Sequence, residues 1–329
     1  MIPISILICT RNRMDSLRQT LDSVSRLTIP ATIRVELVVV DNGSADGTGD
    51  FLAQLRIPHM SVRAIREESR GVGNARNAAL RAATGEILLF TDDDTRLPTD
   101  WISALCDPIL CGRADAVAGC VALAPDLERD WMRPLHRAIL AATDRLDLEN
   151  PQEMFGASMA FSRRILEKVP AFDAELGPGT EVGGMEDTLF SWQIKQAGFR
   201  IVATTDGVVE HHPDMIRLSR LAYIRGTQQY ARSLVYIYYH WLHLPPPVLR
   251  NSRSPRLVLI QSRVRLLLRR IKRWLWGRKP PSEGIPLWEL AAIHHVEQVR
   301  QYLKEYRRPR NYAPRGLLKC LQNPDDEQG

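Results

Sequence analysis

The residues best equipped for chemistry are three consecutive carboxylates, Asp92, Asp93 and Asp94, set directly behind the apolar run Leu88-Leu89-Phe90. Negative charges so close repel one another unless a cation or a hydrogen-bond network holds them. Asp92 and Asp94 form an Asp-x-Asp pair able to face one hard cation and its waters. A solvated acidic turn that caps the next helix would use the same residues. A second acidic pair, Glu186 and Asp187, follows Gly183-Gly184-Met185. Two acids at a helix start complement the helix dipole. Beside a metal site, one of them could also take a proton from an acceptor hydroxyl. Either His211 or His212 could complete a metal shell, and the sequence leaves open which turns inward.

Polar donors stand ready elsewhere. Thr10-Arg11-Asn12-Arg13 offers groups of the kind a nucleotide needs, or a helix N-cap with charged neighbours. In Asp41-Asn42-Gly43-Ser44 the carboxylate could accept from a uracil imide or a ribose hydroxyl, while Asn-Gly marks a turn. In Arg70-Gly-Val-Gly-Asn-Ala-Arg76-Asn77 the glycines allow close approach, which could put Arg76 near a diphosphate. This stretch is not a dinucleotide fingerprint, because no strand runs directly into a G-x-G-x-x-G turn.

These groups need strands and helices to position them. Ile4–Cys9 and Val35–Val40 read as buried strands, Ser61–Ile65 as a weaker one, and Glu86–Thr91 as the strand that delivers the acids. Helical signals lie between them: Leu17, Leu21, Val24 and Leu27 at helical spacing, then about Gly47 to Leu55, then Ala75 to Ala83. Strand–helix alternation predicts a doubly wound, mainly parallel sheet, in which ligands sit at the carboxyl ends of the strands. Beyond Pro98 the pattern predicts a helix over Ile102–Leu110, a strand over Asp115–Leu123 and mostly helix over Trp131–Leu148. A helix over Glu186–Ala197, a strand over Arg200–Ala203 and a short strand at Val208–Val209 follow. Small residues in Phe155-Gly-Ala-Ser-Met-Ala-Phe161 would let a ligand or another chain approach the backbone.

With 44% hydrophobic and 25% charged residues, the 329-residue chain has ordinary globular composition, so disorder is expected only at the polar end from Asn323. Five scattered cysteines without a C-x-x-C suit a reducing compartment, and neither a leader nor a spanning segment is expected, which points to the cytoplasm. The charge is uneven. Eleven Lys or Arg and no Asp or Glu lie between Arg250 and Lys279, more than the whole chain's net +6.

Taken together, the motifs resemble those of family-2 glycosyltransferases of GT-A fold. The likeness covers about residues 2 to 212, in order: Ile8-Cys-Thr-Arg-Asn-Arg13, Val39-Val-Asp-Asn-Gly-Ser-Ala-Asp-Gly-Thr48, Gly71-Val-Gly-Asn-Ala-Arg-Asn77, Thr91-Asp-Asp-Asp94, and Glu186-Asp187 with His211 or His212 beyond. The resemblance implies inverting transfer of a sugar from a uridine, guanosine or thymidine diphosphate donor. It implies that Thr10, Arg11, Asp41 and Arg76 line the nucleotide site, with Asn12 beside them. Asp92 or Asp93 would meet the ribose or sugar. Asp94 would hold Mg²⁺ or Mn²⁺, with Asp92 and a histidine in support and Asp93 able to share the duty. Asp187 would be the general base, Glu186 close beside it, and Phe155–Phe161 would border the acceptor pocket. Loops Glu153–Met159 and Leu176–Met185 are where donor and acceptor choice would be written.

The expected division is a catalytic domain over 1–213 (nucleotide-sugar half 1–97, acceptor half 98–213) and a helical, basic region over 214–329. In that region Arg217–His243 and Leu287–Tyr306 read as helices. Over 263–279, Val264, Leu267, Leu268, Ile271, Trp274 and Leu275 fall on one helical face with Arg265, Arg269 and Lys272 opposite. Such a helix suits an anionic membrane surface, or docks on the catalytic domain. A peripheral position would serve a glycan or polyprenyl-linked acceptor. Two rival readings use the same features. Nucleotidyl transfer also needs a parallel sheet and a metal-binding acid pair, but no Gly-rich lysine loop is present and Glu186-Asp187 would be idle. Nucleic-acid binding would rest on the basic segment alone.

Overall fold

The computed structural model describes residues 1–143, 151, 153–250, 254–277 and 281–310. The polar end from Asn323, residues 144–148 of the expected 131–148 helix, and Arg278 and Lys279 lie outside these described residues.

The continuous apolar runs become central strands because both their faces are covered. Strands β1 (Ile2–Thr10), β2 (Ile33–Asp41) and β4 (Ile87–Asp92) lie side by side and parallel, with β3 (Ser61–Arg66) outside β2. Alternate side chains of these strands feed two separate cores. Ile4, Ile6, Ile8, Val35, Leu37, Val39 and Leu89 pack under helices α1 (Met14–Ser25) and, further along the chain, α4 (Trp101–Leu110). Leu7, Val38, Val40, Leu88 and Phe90 pack on the other side under α3 (Val72–Ala82) and α6 (Glu186–Gln196). The short α2 (Thr48–Gln54) connects β2 to β3, and α5 is Pro134–Ile139.

The second half of the sheet changes direction. Its order is β3-β2-β1-β4-β7-β6-β8-β5, with β5 at Thr95–Arg96, β6 at Ala116–Leu123, β7 at Met159–Ser162 and β8 at Ile201–His211. β7 is antiparallel to both β4 and β6, while β6 and β8 run parallel. This mixed α/β sheet, mainly parallel and flanked by helices, is the expected class.

Register fixes where the polar groups end up. Thr10 is level with Asp41 across β1–β2, and Cys9 with Asp92 across β1–β4. Three carboxyl ends therefore share one rim. The far rim is closed by a buried latch. Glu36 Oε1 accepts from Ser5 Oγ (2.5 Å) and Thr84 N (2.5 Å), and Ser5 Oγ accepts from Gly85 N (2.8 Å). A Cβ at Gly85 would sit 2.5 Å from the Ile4 carbonyl carbon, so only glycine lets the chain pass there.

Three expected elements differ. Of the described residues 131–143, only Pro134–Ile139 form a helix; Ala141 at φ +59° turns the chain away, and Trp131 packs by its edge on His136 and Tyr223. The two short strands expected at Arg200–Ala203 and Val208–Val209 are one strand, β8, which pairs with β6 on both sides of a bulge over 205–208. The expected 217–243 helix is α7 (Arg220–Tyr236) between a 3-10 turn (Met215–Leu218) and a π-helical turn (Ile237–Trp241).

Past residue 213, α7 and α9 (Leu287–Glu305) share buried clusters with the sheet's second half: Tyr223, Leu290 and Ile293 with Leu123, Leu127 and Leu140. Tyr236 and Trp241 pack with Leu176, Met185 and Leu189, and both donate to the buried Asp173 Oδ2 (3.0 and 2.8 Å). Between them α8 (Pro255–Leu275) lies against α9. No described helix is long and apolar enough to cross a membrane.

Candidate functional site

The site forms where the strand-end rim meets the start of α6. After β4 the chain folds sharply: Thr95 Oγ1 donates to the Asp92 carbonyl (2.9 Å), and the two-residue β5 pairs with the end of β8. That pairing sets Thr95 opposite His211, carrying His211 Nε2 to 3.2 Å from Asp94 Oδ1. The other ring nitrogen, Nδ1, lies 2.8 Å from the Leu140 carbonyl. His212 points the opposite way, with Nε2 2.5 Å from Glu210 Oε1, as strand alternation requires. Its backbone N–H alone reaches this region, donating to the Asp94 carbonyl (2.7 Å).

The three adjacent aspartates have three environments. Asp93 is buried; it accepts from Thr10 Oγ1 (2.7 Å) and meets Arg13 Nη1 at 3.1 Å. Burial pushes its carboxyl up to about 7, against the pull of Arg13 and Thr10. Asp94 is equally buried, but the His211 hydrogen bond, and then Arg13 Nη2 at 2.8 Å, outweigh burial and hold it well below the carboxylate range. The same contact raises His211 despite its burial. Only Asp92 keeps an open side chain, 37% exposed.

Arg76 ties this cluster to the second one. Its guanidinium is buried, with Nη1 2.7 Å from Glu186 Oε1 and Nη2 3.5 Å from Asp92 Oδ1. Gly156 allows this: a Cβ there would fall 1.7 Å from Arg76 Nη2. Arg76 thus faces two carboxylates rather than open space for a diphosphate. Met185, buried at φ +71°, supplies the turn that aims Glu186 and Asp187 into the site. Burial pushes Glu186 up to about 7 against the pull of Arg76. Asp187 is half-buried; its Oδ2 accepts from Gly156 N (3.0 Å) and its Oδ1 from Thr188 N (2.8 Å), which fixes the carboxylate with lone pairs to spare.

The loop residues expected at the nucleotide hold the loops themselves. Arg11 Nη1 donates to the Asn42 carbonyl (2.7 Å), and Asn12 Oδ1 accepts from Ala45 N (2.7 Å). Asp41 is buried, its Oδ1 accepting from Ser44 N (2.8 Å) and its Oδ2 3.3 Å from Arg66. Sequence reasoning left Arg13 and Arg66 out of the site. Arg13 was already within the Thr10–Arg13 motif. Arg66 carried a signal too, since it ends the strand beside Asp41.

By donor chemistry, Asp92, Asp94 and His211 suit a divalent cation, two carboxylates and an imidazole. Among the described residues, no three such groups stand close enough together to hold a metal ion as they are. To take one up, Arg13 must yield Asp94 Oδ2. Cys9 lies beside these acids, and burial pushes its thiol up to about 12.

Residues 5–170 match the sequence profile of glycosyl transferase family 2. The chain belongs to this family. The profile spans β1 through β7 and its acids, and stops short of Glu186, Asp187 and His211. Similar members include the glycosyltransferase AglE of Haloferax volcanii, 30% identical over 119 residues, covering 36% of this chain and 39% of that one. The succinoglycan biosynthesis protein ExoM of Rhizobium meliloti is 31% identical over 134 residues, 40% of this chain and 42% of that one. The matched stretches thus span less than half the length of either relative. Among solved structures, the family-2 chain shares its fold with the mannosyltransferase PcManGT of Pyrobaculum calidifontis, in complex with GDP-Man and Mn²⁺. The TM-score is 0.58 at 20% identity, over 91% of this chain and 86% of that one.

Proposed function

We propose that residues 1–213 transfer a sugar, with inversion, from a nucleoside-diphosphate donor to a hydroxyl of a glycan or polyprenyl-linked acceptor. The observation that carries this reading is Arg76, whose one guanidinium touches both Asp92 and Glu186 and so joins a strand-end acid cluster to a helix-start pair. Family membership favours it over nucleotidyl transfer or nucleic-acid binding. That PcManGT holds GDP-Man with Mn²⁺ supports the donor class and the kind of cation. ExoM's role in succinoglycan supports a place in polysaccharide synthesis.

In this reading the nucleotide lies over the carboxyl ends of β1 and β2, where Thr10, Arg11, Asn12 and Asp41 form the floor. Asp92, the open acid, or Asp93 meets the ribose or sugar. Asp94 and His211, with Asp92, would hold Mg²⁺ or Mn²⁺, which when bound neutralises charge building on the departing diphosphate. Arg13, displaced from Asp94, is then free to face phosphate oxygens. Asp187 takes the proton of the acceptor hydroxyl as its oxygen attacks the anomeric carbon from the face opposite the diphosphate. The Gly156 N–H holds Asp187 in that orientation. Glu186 serves as the partner that keeps Arg76 in place, not as the base, because its carboxylate is buried against that guanidinium.

The test is thermal stabilisation against a panel of nucleoside diphosphates with and without Mn²⁺, followed by NMR of the product anomer. A metal-requiring shift with one nucleotide and an inverted product is expected. A shift with none of them, or a retained configuration, overturns the reading.

A further inference from the structure

The helix α8 has a face that nothing in the described structure covers. Leu257, Ile260, Val264, Leu267, Ile271 and Trp274 recur at alternating three- and four-residue steps, each between 43% and 72% exposed. Leu268 and Leu275 widen the stripe, and none of the helix's 21 residues is buried. Isolated exposed leucines need no explanation, but a continuous stripe along about 30 Å of helix does.

The opposite side is firmly mounted. Glu289 of α9, 3% exposed, accepts from Arg270 of α8 (Nε, 2.7 Å) and from Arg220 at the start of α7 (Nη2, 2.5 Å). Leu266 packs on the Tyr223 cluster, and the Arg273 guanidinium lies 5.8 Å over the Trp288 ring. The helix is therefore held to the body by one side and presents the apolar stripe outward by construction.

Charge says what that stripe meets. At helical spacing, Arg265, Arg269 and Lys272 line one flank and Arg256 and Arg263 the other, all exposed, and the stretch contains no acid. A second copy of this face would bring like charges together along its whole length. An anionic bilayer satisfies both features: hydrocarbon for the stripe and phosphate headgroups for the two cationic flanks. Trp274 and Trp276 at the helix end are suited to the headgroup boundary.

We propose that α8 lies in the plane of an anionic lipid surface, stripe inward, and docks the chain there as a peripheral protein. This rests on α8 alone and does not depend on the transfer reaction.

The experiment is flotation of the full chain with phosphatidylcholine vesicles, with and without phosphatidylglycerol, at low and high salt. The protein is expected to float with anionic vesicles at low salt and to be released by high salt. The double variant Leu267→Glu/Leu268→Glu should stay with the soluble fraction. Each of Arg265→Gln and Arg269→Gln should lower partitioning about fivefold. Neither set should change Tm or the nucleotide-induced shift, because these side chains cover nothing. Absence of wild-type flotation overturns the proposal, and so does a double-glutamate variant that floats normally. A fall in Tm in that variant would mean the chain's own segment covers the stripe, and a loss of self-association would mean a second copy does; either result also overturns it.

Discussion

The two acidic clusters are built on one plan from unlike elements. At the end of β4, Arg13 and His211 take up the buried Asp93 and Asp94, and Asp92 is left open. At the start of α6, Arg76 takes up the buried Glu186, and Asp187 is left half-open. In each, an arginine neutralises the acids that burial would otherwise make costly, and one carboxylate remains for a ligand. The difference lies in what fixes the free acid. Asp187 is held by two backbone N–H groups, which suits a proton acceptor of constant geometry. Asp92 meets only the far end of Arg76, which suits a group that must re-aim when a cation or sugar arrives.

The largest expected effect comes from removing the acid proposed to take the proton. Asp187→Asn should lower kcat by roughly 10²–10⁴-fold while leaving nucleotide-induced thermal stabilisation intact. Glu186→Gln should not reproduce that pattern, and if it does while Asp187→Asn stays active, the roles are reversed. Arg76→Met leaves Glu186 buried without its partner and should cost about 3–5 kcal/mol in urea unfolding. Adding Glu186→Gln should recover part of that loss, and full additivity of the two changes would deny the coupling. In the first cluster, Asp94→Asn should weaken Mn²⁺-dependent nucleotide binding, read by calorimetry, by at least the roughly 10–100-fold that losing a mere outer-shell partner costs.

Outside both clusters, Glu36→Gln provides a control of about 1–3 kcal/mol with no effect on nucleotide binding. Burial works to raise Glu36, but the Ser5 and Thr84 hydrogen bonds outweigh it and hold its carboxyl below the usual range. Its contribution is therefore complete above the ordinary carboxylate range and lost as pH falls below about 4. The variant and the parent should converge in stability in acid and separate towards neutral pH. On stability the smallest effect is expected from chelation: EDTA should leave Tm unchanged while abolishing metal-dependent nucleotide binding.

Much of this arrangement was legible in the chain because continuous apolar runs such as Leu88–Phe90, ending abruptly in polar turns, suit strands covered on both sides. Their abrupt polar ends then name the rim. What was not legible depended on contacts far apart in sequence. The alternation Gly207, Val209, His211 would have chosen His211 over His212, but only once the polar stretch 204–207 was known to belong to the same strand. Glu186 and Asp187 are equivalent as letters; Arg76, 110 residues earlier, separates them. The helical spacing around Trp131 misled because Tyr223 and His136 trap its ring and Ala141 breaks the local path.

Arg13 carries one further consequence. Because a covalently attached cation already sits between Asp93 and Asp94, the acid cluster never faces self-repulsion alone. At the proposed metal site, folding and metal loading would therefore be separate events: the chain would reach its final shape where free divalent ions are scarce and wait there without unravelling. Metal supply would then set how much of a standing pool is switched on, not how much of it survives.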